Sequence, residues 1–376
     1  MTLSAAQREL LASTETIVTH QLTPLAGTVD GSINRPLLAA LAAHGLLGRL
    51  FRRAPAAGGY EPVSAMDLCL LREGLARHCT EAETALALQG LGAYPILTFG
   101  RAEVVERWIP PVAAGSVAAG FALTEPEAGS DVASLALSAD RDGDGFRLNG
   151  EKVYISNAPD AGVYSVFART GPAAGARGIT AFAVPGDAEG LSGERLDMLA
   201  PHPIGRLRFT DVFVPAECVL GETGGGMRVA MSTLNLFRPS VGAFAVGMAQ
   251  AALDAAIDYA AQRTAFGRTL REFQAVAHQL ADVATQLEAA RLLVYRAADG
   301  YDSGAADVVK ASAMAKLFAT ETAHRAVDVA VQVHGARALE RGHLLEHLYR
   351  EVRAPRIYEG TSEIQREIIA RALFRR

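Results

Sequence analysis

The sequence predicts an α+β protein. An N-terminal helical domain is followed by a middle antiparallel β domain of small-barrel or sandwich type, and then by a C-terminal four-helix bundle. Three observations carry this expectation. Phe273, Val276, Leu280, Val283, Leu287, Ala290 and Val294 advance in steps of three and four, the core stripe of a long amphipathic helix. Between residues 116 and 220 that spacing gives way to short β-type runs punctuated by Gly, Pro, Asp and Asn. No βαβ unit opens the chain, which disfavours a parallel nucleotide-binding sheet. The expected boundaries are 1–116, 117–222 and 223–376.

Each element has its own signal. Residues 3–22, 37–47, 66–76 and 84–99 carry apolar side chains at helical spacing. The second of these ends at Gly45 and Gly48, and residues 54–60 form a breaker rich in Gly and Pro. Residues 104–112 read as a further helix interrupted by Pro110 and Pro111. The β runs are 120–124, 146–148, 153–156, 163–168, 179–184 and 207–214. The turn Asp142-Gly143-Asp144-Gly145 precedes the second of them. Helical patterns return over 228–263, 305–334 and 362–373.

With 376 residues, half of them hydrophobic and 20% charged, the chain has a soluble globular composition and ample length for sizeable cores. A net charge of −5 offers no footprint for nucleic acid. Cys69, Cys79 and Cys218 stand far apart, so neither a disulfide framework nor a zinc ribbon is expected. The first residues lack a basic stretch followed by an apolar one, and the uncharged run 239–253 is too short to span a membrane. A cytoplasmic protein is the default expectation.

Among polar signals, Arg356-Ile357-Tyr358-Glu359-Gly360-Thr361-Ser362-Glu363 is the most informative. Gly360 permits a sharp turn directly after Glu359. Thr361 or Ser362 can cap the last helix, and residues 362–365 read as a capping box. A carboxylate held at such a helix entrance is a candidate general base, although those eight residues alone favour a solvated loop glutamate. Thr124, Gly129 and Ser130 follow a β run and could cradle a phosphate, or simply form a capped turn. His343-Leu344-Leu345-Glu346-His347 matches a zinc-peptidase pattern but has too little chain after it for the further ligand. Glu321 and His324 make a single Glu-x-x-His, where a di-iron bundle needs two.

Four segments, in register, resemble the acyl-CoA dehydrogenase family of flavoproteins. They are FALTEPEAGSD (121–131), NGEKVYISNA (149–158), RTAFGRTLREFQ (263–274), and QVHGA at 332 with YREVRAPRIYEGTSEIQ ending at 365. The resemblance covers essentially the whole chain and implies FAD. By position, Phe121, Leu123, Thr124, Gly129 and Ser130 would line the flavin and its pyrophosphate, with Tyr154 and Ser156 against the isoalloxazine ring. Arg263, Phe266, Gln274, Gln332 and Gly335 would reach the cofactor of a neighbouring subunit, and Thr361 and Glu363 would touch it beside the base. The implied assembly is a homotetramer, a dimer of dimers, with an electron-transfer flavoprotein as electron acceptor.

The implied reaction is α,β-desaturation of an acyl-CoA. Glu359 would take the α proton as the β hydrogen leaves as hydride, and burial beside the acyl chain would raise its pKa. Arg238, Asn235, Ser130 and Tyr358 would contact the substrate. Some relatives carry the base near Arg238 instead, but Leu236 and Phe237 cannot accept a proton. Three positions depart from the family pattern. Ala336 stands where a second glycine is usual, Glu351 replaces an aspartate, and Asn235 replaces an acidic residue common in CoA-binding members. The last leaves an acyl-carrier-protein thioester open as substrate. A flavin oxidase or monooxygenase on the same fold is the remaining alternative.

Overall fold

The computed structural model describes residues 2–27, 31–54, 59–171 and 175–374. Residues 55–58 of the expected breaker lie outside these. Two compact units are present, one of Met1–Thr23, Ser64–Glu83 and Asn235–Arg376, the other of Pro24–Val63 and Thr84–Leu234. The N-terminal helices therefore contribute to both.

Helix α1 (Ala5–Ile17) opens with a capping box in which Ser4 accepts from the Gln7 N–H and Gln7 accepts from the Ser4 N–H. Helix α2 (Arg35–Ala43) starts at Asn34, whose side chain accepts from the Leu37 N–H, and ends at His44 before Gly45 turns the chain at φ +75°. Helix α3 (Ala65–His78) packs on α1. Its first N–H groups are satisfied by the Asp302 carboxylate, at 2.7 Å from Ala65 and 3.0 Å from Met66. Helix α4 (Thr80–Phe99) tolerates Pro95. Helix α5 (Ala102–Ala113) runs through Pro110 and Pro111, where a break was expected. The two prolines free the carbonyls of Glu106 and Arg107, and both of those residues are exposed, so water can serve them.

The sheet comprises β1 (Ala119–Ala122), β2 (Ser138–Asp142), β3 (Gly145–Ser156), β4 (Val163–Arg169), β5 (Ile179–Pro185), β6 (Leu191–Arg195), β7 (Ile204–Pro215) and β8 (Val219–Leu220). Its order is β6-β7-β3-β2-β4-β5-β8, with β1 also beside β4. Most pairs are antiparallel, but β1 and β2 run parallel to β4, so the expected antiparallel sheet is a mixed one. Its path is open, with β6 and β8 at the ends, and no closed barrel forms among the described residues. The runs 146–148 and 153–156 join into the single strand β3, which breaks register at Leu148/Gly150 and at Lys152/Ile155. The second irregularity contains Tyr154 at φ +57°, and such bulges re-aim side chains.

Gly92 in α4 sits against β1. A Cβ there would stand 2.6 Å from both the Ala119 carbonyl carbon and the Gly120 nitrogen. Its carbonyl accepts from Ser165 Oγ at 2.7 Å. Backbone cannot yield as a flexible side chain can, so Gly92→Ala should cost about 1–3 kcal/mol through overpacking. Denaturant unfolding will measure this, and an unchanged midpoint would show that the helix can slide.

Helix α6 (Gly226–Gln262) has 37 residues and is the one helix, among the described residues, long and apolar enough to cross a membrane. Within its apolar window 78% is buried inside the protein, as a core helix requires. A small hairpin, β9 (Thr264–Ala265) with β10 (Arg268–Thr269), carries Phe266 and Gly267 at its tip, both at positive φ. Then follow α7 (Gln274–Asp302), α8 (Val308–His334), α9 (Leu344–Glu351) and α10 (Ser362–Phe374). Helix α7 packs on α3 and α8, and α8 packs on α10. Val283, Leu287, Ala290 and Val294 are buried as expected, whereas Phe273, Val276 and Leu280 at the start of the stripe are only partly covered.

Candidate functional site

The turn joining α9 to α10 holds the candidate base. Glu359 adopts φ +52° and Gly360 φ +92°. A left-handed glutamate costs backbone strain, which persists only where the surroundings impose it. Here they do. The Glu359 carbonyl accepts from Arg238 Nε at 3.3 Å and from Gln365 Nε2 at 3.2 Å. The Gly360 carbonyl accepts from Lys316 Nζ at 2.7 Å and from Gln365 Nε2 at 2.8 Å. Thr361 is the cap, its Oγ1 accepting from the Ile364 N–H at 3.3 Å. The capping box expected at residues 362–365 is therefore displaced. Ser362 instead donates to Glu321 at 2.6 Å, and Glu321 also pairs with Arg356 at 3.0 Å.

The Glu359 side chain is half-buried, and its Oε2 has no hydrogen-bond partner among the described residues. Burial pushes this carboxyl above the ordinary range, while Arg72, Lys316 and Arg238 oppose the shift in that order. Lys316 is itself pushed down to about 8, chiefly by burial, with Glu359 pulling the other way. Burial also lowers Arg238, whose Nη1 donates to Asn235 Oδ1 at 3.1 Å. A shielded carboxylate with an unpartnered oxygen and a pKa raised toward neutrality can accept a proton from a weak carbon acid.

A second group of expected residues lies around β1 and β3 in the other unit. Lys152 is 0% exposed. Its Nζ donates to the Leu123 carbonyl at 2.9 Å and to Glu125 Oε1 at 2.8 Å. The Glu125 carboxylate in turn accepts from the N–H groups of Ala136 and Leu137 at 2.6 and 3.0 Å. That pair suspends the loop bearing Thr124, Gly129 and Ser130. These residues suit a flavin and its pyrophosphate. Gly129 has open space where a Cβ would stand, the hydroxyls of Thr124, Ser130 and Ser156 supply polar contacts, and Tyr154 is 59% exposed on its bulge. Phe121 packs on Phe167 with ring centres 5.0 Å apart.

Most of the remaining expected residues are exposed. Arg263, Phe266 (93% exposed) and Gln274 surround the β9–β10 hairpin, and Gln332 and Gly335 end α8. Glu363 points outward from the first turn of α10, whereas Thr361 and Tyr358 sit in the turn with Glu359. His343 caps α9 through its Nδ1, 3.1 Å from the Leu345 N–H, and His347 Nε2 lies 2.7 Å from Thr80 Oγ1. No group of three or more potential metal ligands occurs among the described residues. The three cysteines are free and buried.

Arg72, Lys316, Glu125 and Lys152 were not singled out from the sequence, and Gln365 was read only as the end of a capping box. One signal was available for Lys316: it lies on the face of α8 that carries Ser312, Ala319, Thr320 and Ala323, all buried. A lysine on a buried stripe needs a partner.

Residues 4–116, 120–212 and 224–374 match the families described as acyl-CoA dehydrogenase N-terminal, middle and C-terminal domain. Cyclohexane-1-carbonyl-CoA dehydrogenase of Geobacter metallireducens is 35% identical over 375 residues, covering 98% of each chain. The structure of butyryl-CoA dehydrogenase from Megasphaera elsdenii superposes with a TM-score of 0.91 at 33% identity, covering 100% of both chains. The FAD complex of PigA superposes with a TM-score of 0.91 at 27% identity, covering 99% of this chain and 98% of that one.

Proposed function

Because the chain belongs to the acyl-CoA dehydrogenase family, FAD-dependent oxidoreductases acting on CH–CH bonds, we propose that it desaturates an acyl thioester to the trans α,β-enoyl thioester with Glu359 as base. The observation that carries this reading is the strained, shielded turn of Glu359. A thioester's α C–H is weakly acidic, so its carbonyl must be polarised while the proton leaves. The Glu359 N–H would serve the carbonyl oxygen and its carboxylate the α proton. Arg238, Asn235, Tyr358 and Ser130 would orient the substrate. FAD, when bound, supplies the acceptor for the β hydride. Its holders would be Thr124, Gly129, Ser130, Tyr154 and Ser156 with their neighbours Phe121 and Leu123, together with Thr361 and Glu363 beside the base. Arg263, Phe266, Gln274, Gln332 and Gly335 would serve a second copy's cofactor. The partly covered start of the α7 stripe and the exposed Phe266 support such subunit contacts within a cytoplasmic homotetramer.

Anaerobic mixing with a panel of acyl-CoAs and acyl-carrier-protein thioesters tests the reading. Flavin absorbance should bleach with stoichiometric enoyl product, and the carrier preferred will be whichever reacts at lower concentration. Adding an electron-transfer flavoprotein should restore turnover, whereas rapid reoxidation by oxygen alone would indicate an oxidase. No bleaching with any thioester would end the proposal. The base must be ionised to act, and burial raises its pKa. The acid limb of kcat/KM should therefore lie above the ordinary carboxylate range, with activity present above that limb and lost below it.

A further inference from the structure

The turn that carries Glu359 is tied at both ends to one carboxylate. Glu321 on α8 accepts from Ser362 Oγ through its Oε1 at 2.6 Å, and its Oε2 lies 3.0 Å from Arg356 Nη2. Those two partners stand three residues after Glu359 and three residues before it. A single side chain thus closes the segment 356–362 into a ring with Glu359 at its midpoint. Starting α10 does not require the Ser362 arm. Thr361 already caps that helix, so the buried Ser362 hydroxyl is free to give its proton to Glu321, a charge-assisted bond. The Arg356 arm taken alone is an ordinary surface ion pair, with side chains 29% and 33% exposed, and such pairs contribute little to stability. Its value lies in where it closes the ring.

What the ring resists is relaxation of Glu359. Residue 359 stands at φ +52°, a strained conformation for any residue with a side chain. A return to negative φ would swing its carboxylate and its N–H to new directions and shift residues 356 and 362 relative to each other. Arg238, Lys316 and Gln365 bind the carbonyls of residues 359 and 360, which fixes the two peptide planes at the centre of the segment but not its ends. At the entry side, the N–H groups of Ile357 and Tyr358 donate to the Ala354 carbonyl at 2.8 and 3.2 Å. We infer that Glu321 is a positioning residue: by tying Arg356 to Ser362 it keeps the Glu359 turn left-handed and the base carboxylate in its shielded place. The inference rests on Glu359 being the base. Lys316, which holds the Gly360 carbonyl, precedes Glu321 on the same helix, so α8 grips the turn at its centre and at both flanks. The acid of the lone Glu321-x-x-His324 pair is thereby engaged through both of its oxygens.

Glu321→Ala opens the ring and leaves the helix cap and the carbonyl donors in place. In the FAD-loaded variant kcat should fall about 10- to 100-fold, the scale of a misplaced catalytic group, while KM and flavin content stay near wild type. Amide hydrogen exchange reads the turn without substrate. The N–H groups of Ile357 and Tyr358 should exchange roughly tenfold faster, with those in the middle of α7 unchanged. Ser362→Ala and Arg356→Met should each lower kcat, and neither should lower it further in the Glu321→Ala background. An unchanged kcat in Glu321→Ala overturns the inference, as does a loss carried by KM or flavin content instead. Unchanged exchange at Ile357 and Tyr358, or losses at 356 and 362 that add in full to that of Glu321→Ala, also overturn it. Should Glu321→Ala not fold, Glu321→Gln decides. Its single oxygen serves one arm only, so kcat and exchange should move the same way by smaller factors, and unmoved values sink the idea. A wild type that oxidises no thioester would refute the proposed reaction, while the exchange rates would still decide whether Glu321 holds the turn.

Discussion

In Glu359→Gln, flavin reduction by a good acyl-CoA substrate should slow by about 10³-fold, the usual scale for losing a positioned general base, while flavin content stays at the wild-type level. Glutamine preserves the volume and the N–H of residue 359 but cannot take a proton. The backbone at φ +52° is held through carbonyls that the substitution does not touch, by Arg238, Lys316 and Gln365. The loss should therefore fall on the chemical step rather than on KM. Stability should move the other way. The folded-state pKa of Glu359 is raised above its unfolded value. The group thus favours folding at pH below the unfolded pKa, and that contribution disappears as pH rises through the folded pKa. At neutral pH and above, wild type bears the cost of a shielded charge that glutamine avoids, so the variant should melt at the same temperature or higher. Stopped-flow reduction and thermal scans measure the two halves. A variant that bleaches as fast as wild type would remove Glu359 from the mechanism.

The sequence made some of this legible and hid the rest, for physical reasons. The stripe through Val283 and Val294 announced α7 because one face of that helix must be apolar over many turns. The turn at Glu359 stood out because glycine, two hydroxyl residues and an acid in succession mark a helix entrance, although local pattern alone left Thr361 and Ser362 both open as the cap and placed the capping box one residue late. Strands β2 and β6 gave no signal because they are mostly exposed and carry no apolar alternation, and the parallel pairing of β1 with β4 is set by a chain crossing that no local spacing records. Arg72, Lys316 and Lys152 escaped notice for one shared reason. Each is a cation in a buried setting whose partners lie elsewhere in the chain: Arg72 meets Ser240 168 positions away, Lys316 meets Gly360 44 away, and Lys152 meets Glu125 27 away. Composition and periodicity register such residues only as faults in an apolar stripe.

The second large effect is expected at one of those faults. Lys152→Met leaves the Glu125 carboxylate buried without its cation, and breaking one half of such a pair costs about 3–5 kcal/mol. The carboxylate keeps its bonds to the N–H groups of Ala136 and Leu137, but the Leu123 carbonyl loses the ammonium that anchors it beside β3. The loop between those anchors carries Thr124, Gly129 and Ser130, so strain there should reach the flavin cradle. Purified Lys152→Met should hold less FAD per chain than wild type, and from the FAD-free state a given concentration of added FAD should raise its melting temperature by less, since part of the binding free energy would go into ordering the loop. The companion variant Glu125→Gln/Lys152→Met separates charge from shape. With no uncompensated charge left, it should recover most of the lost stability, yet keep a flavin deficit because the Leu123 anchor is still missing. A flavin deficit that vanishes together with the stability loss would mean the pair serves only the core. Full flavin content in Lys152→Met would mean that the loop finds its shape without either residue.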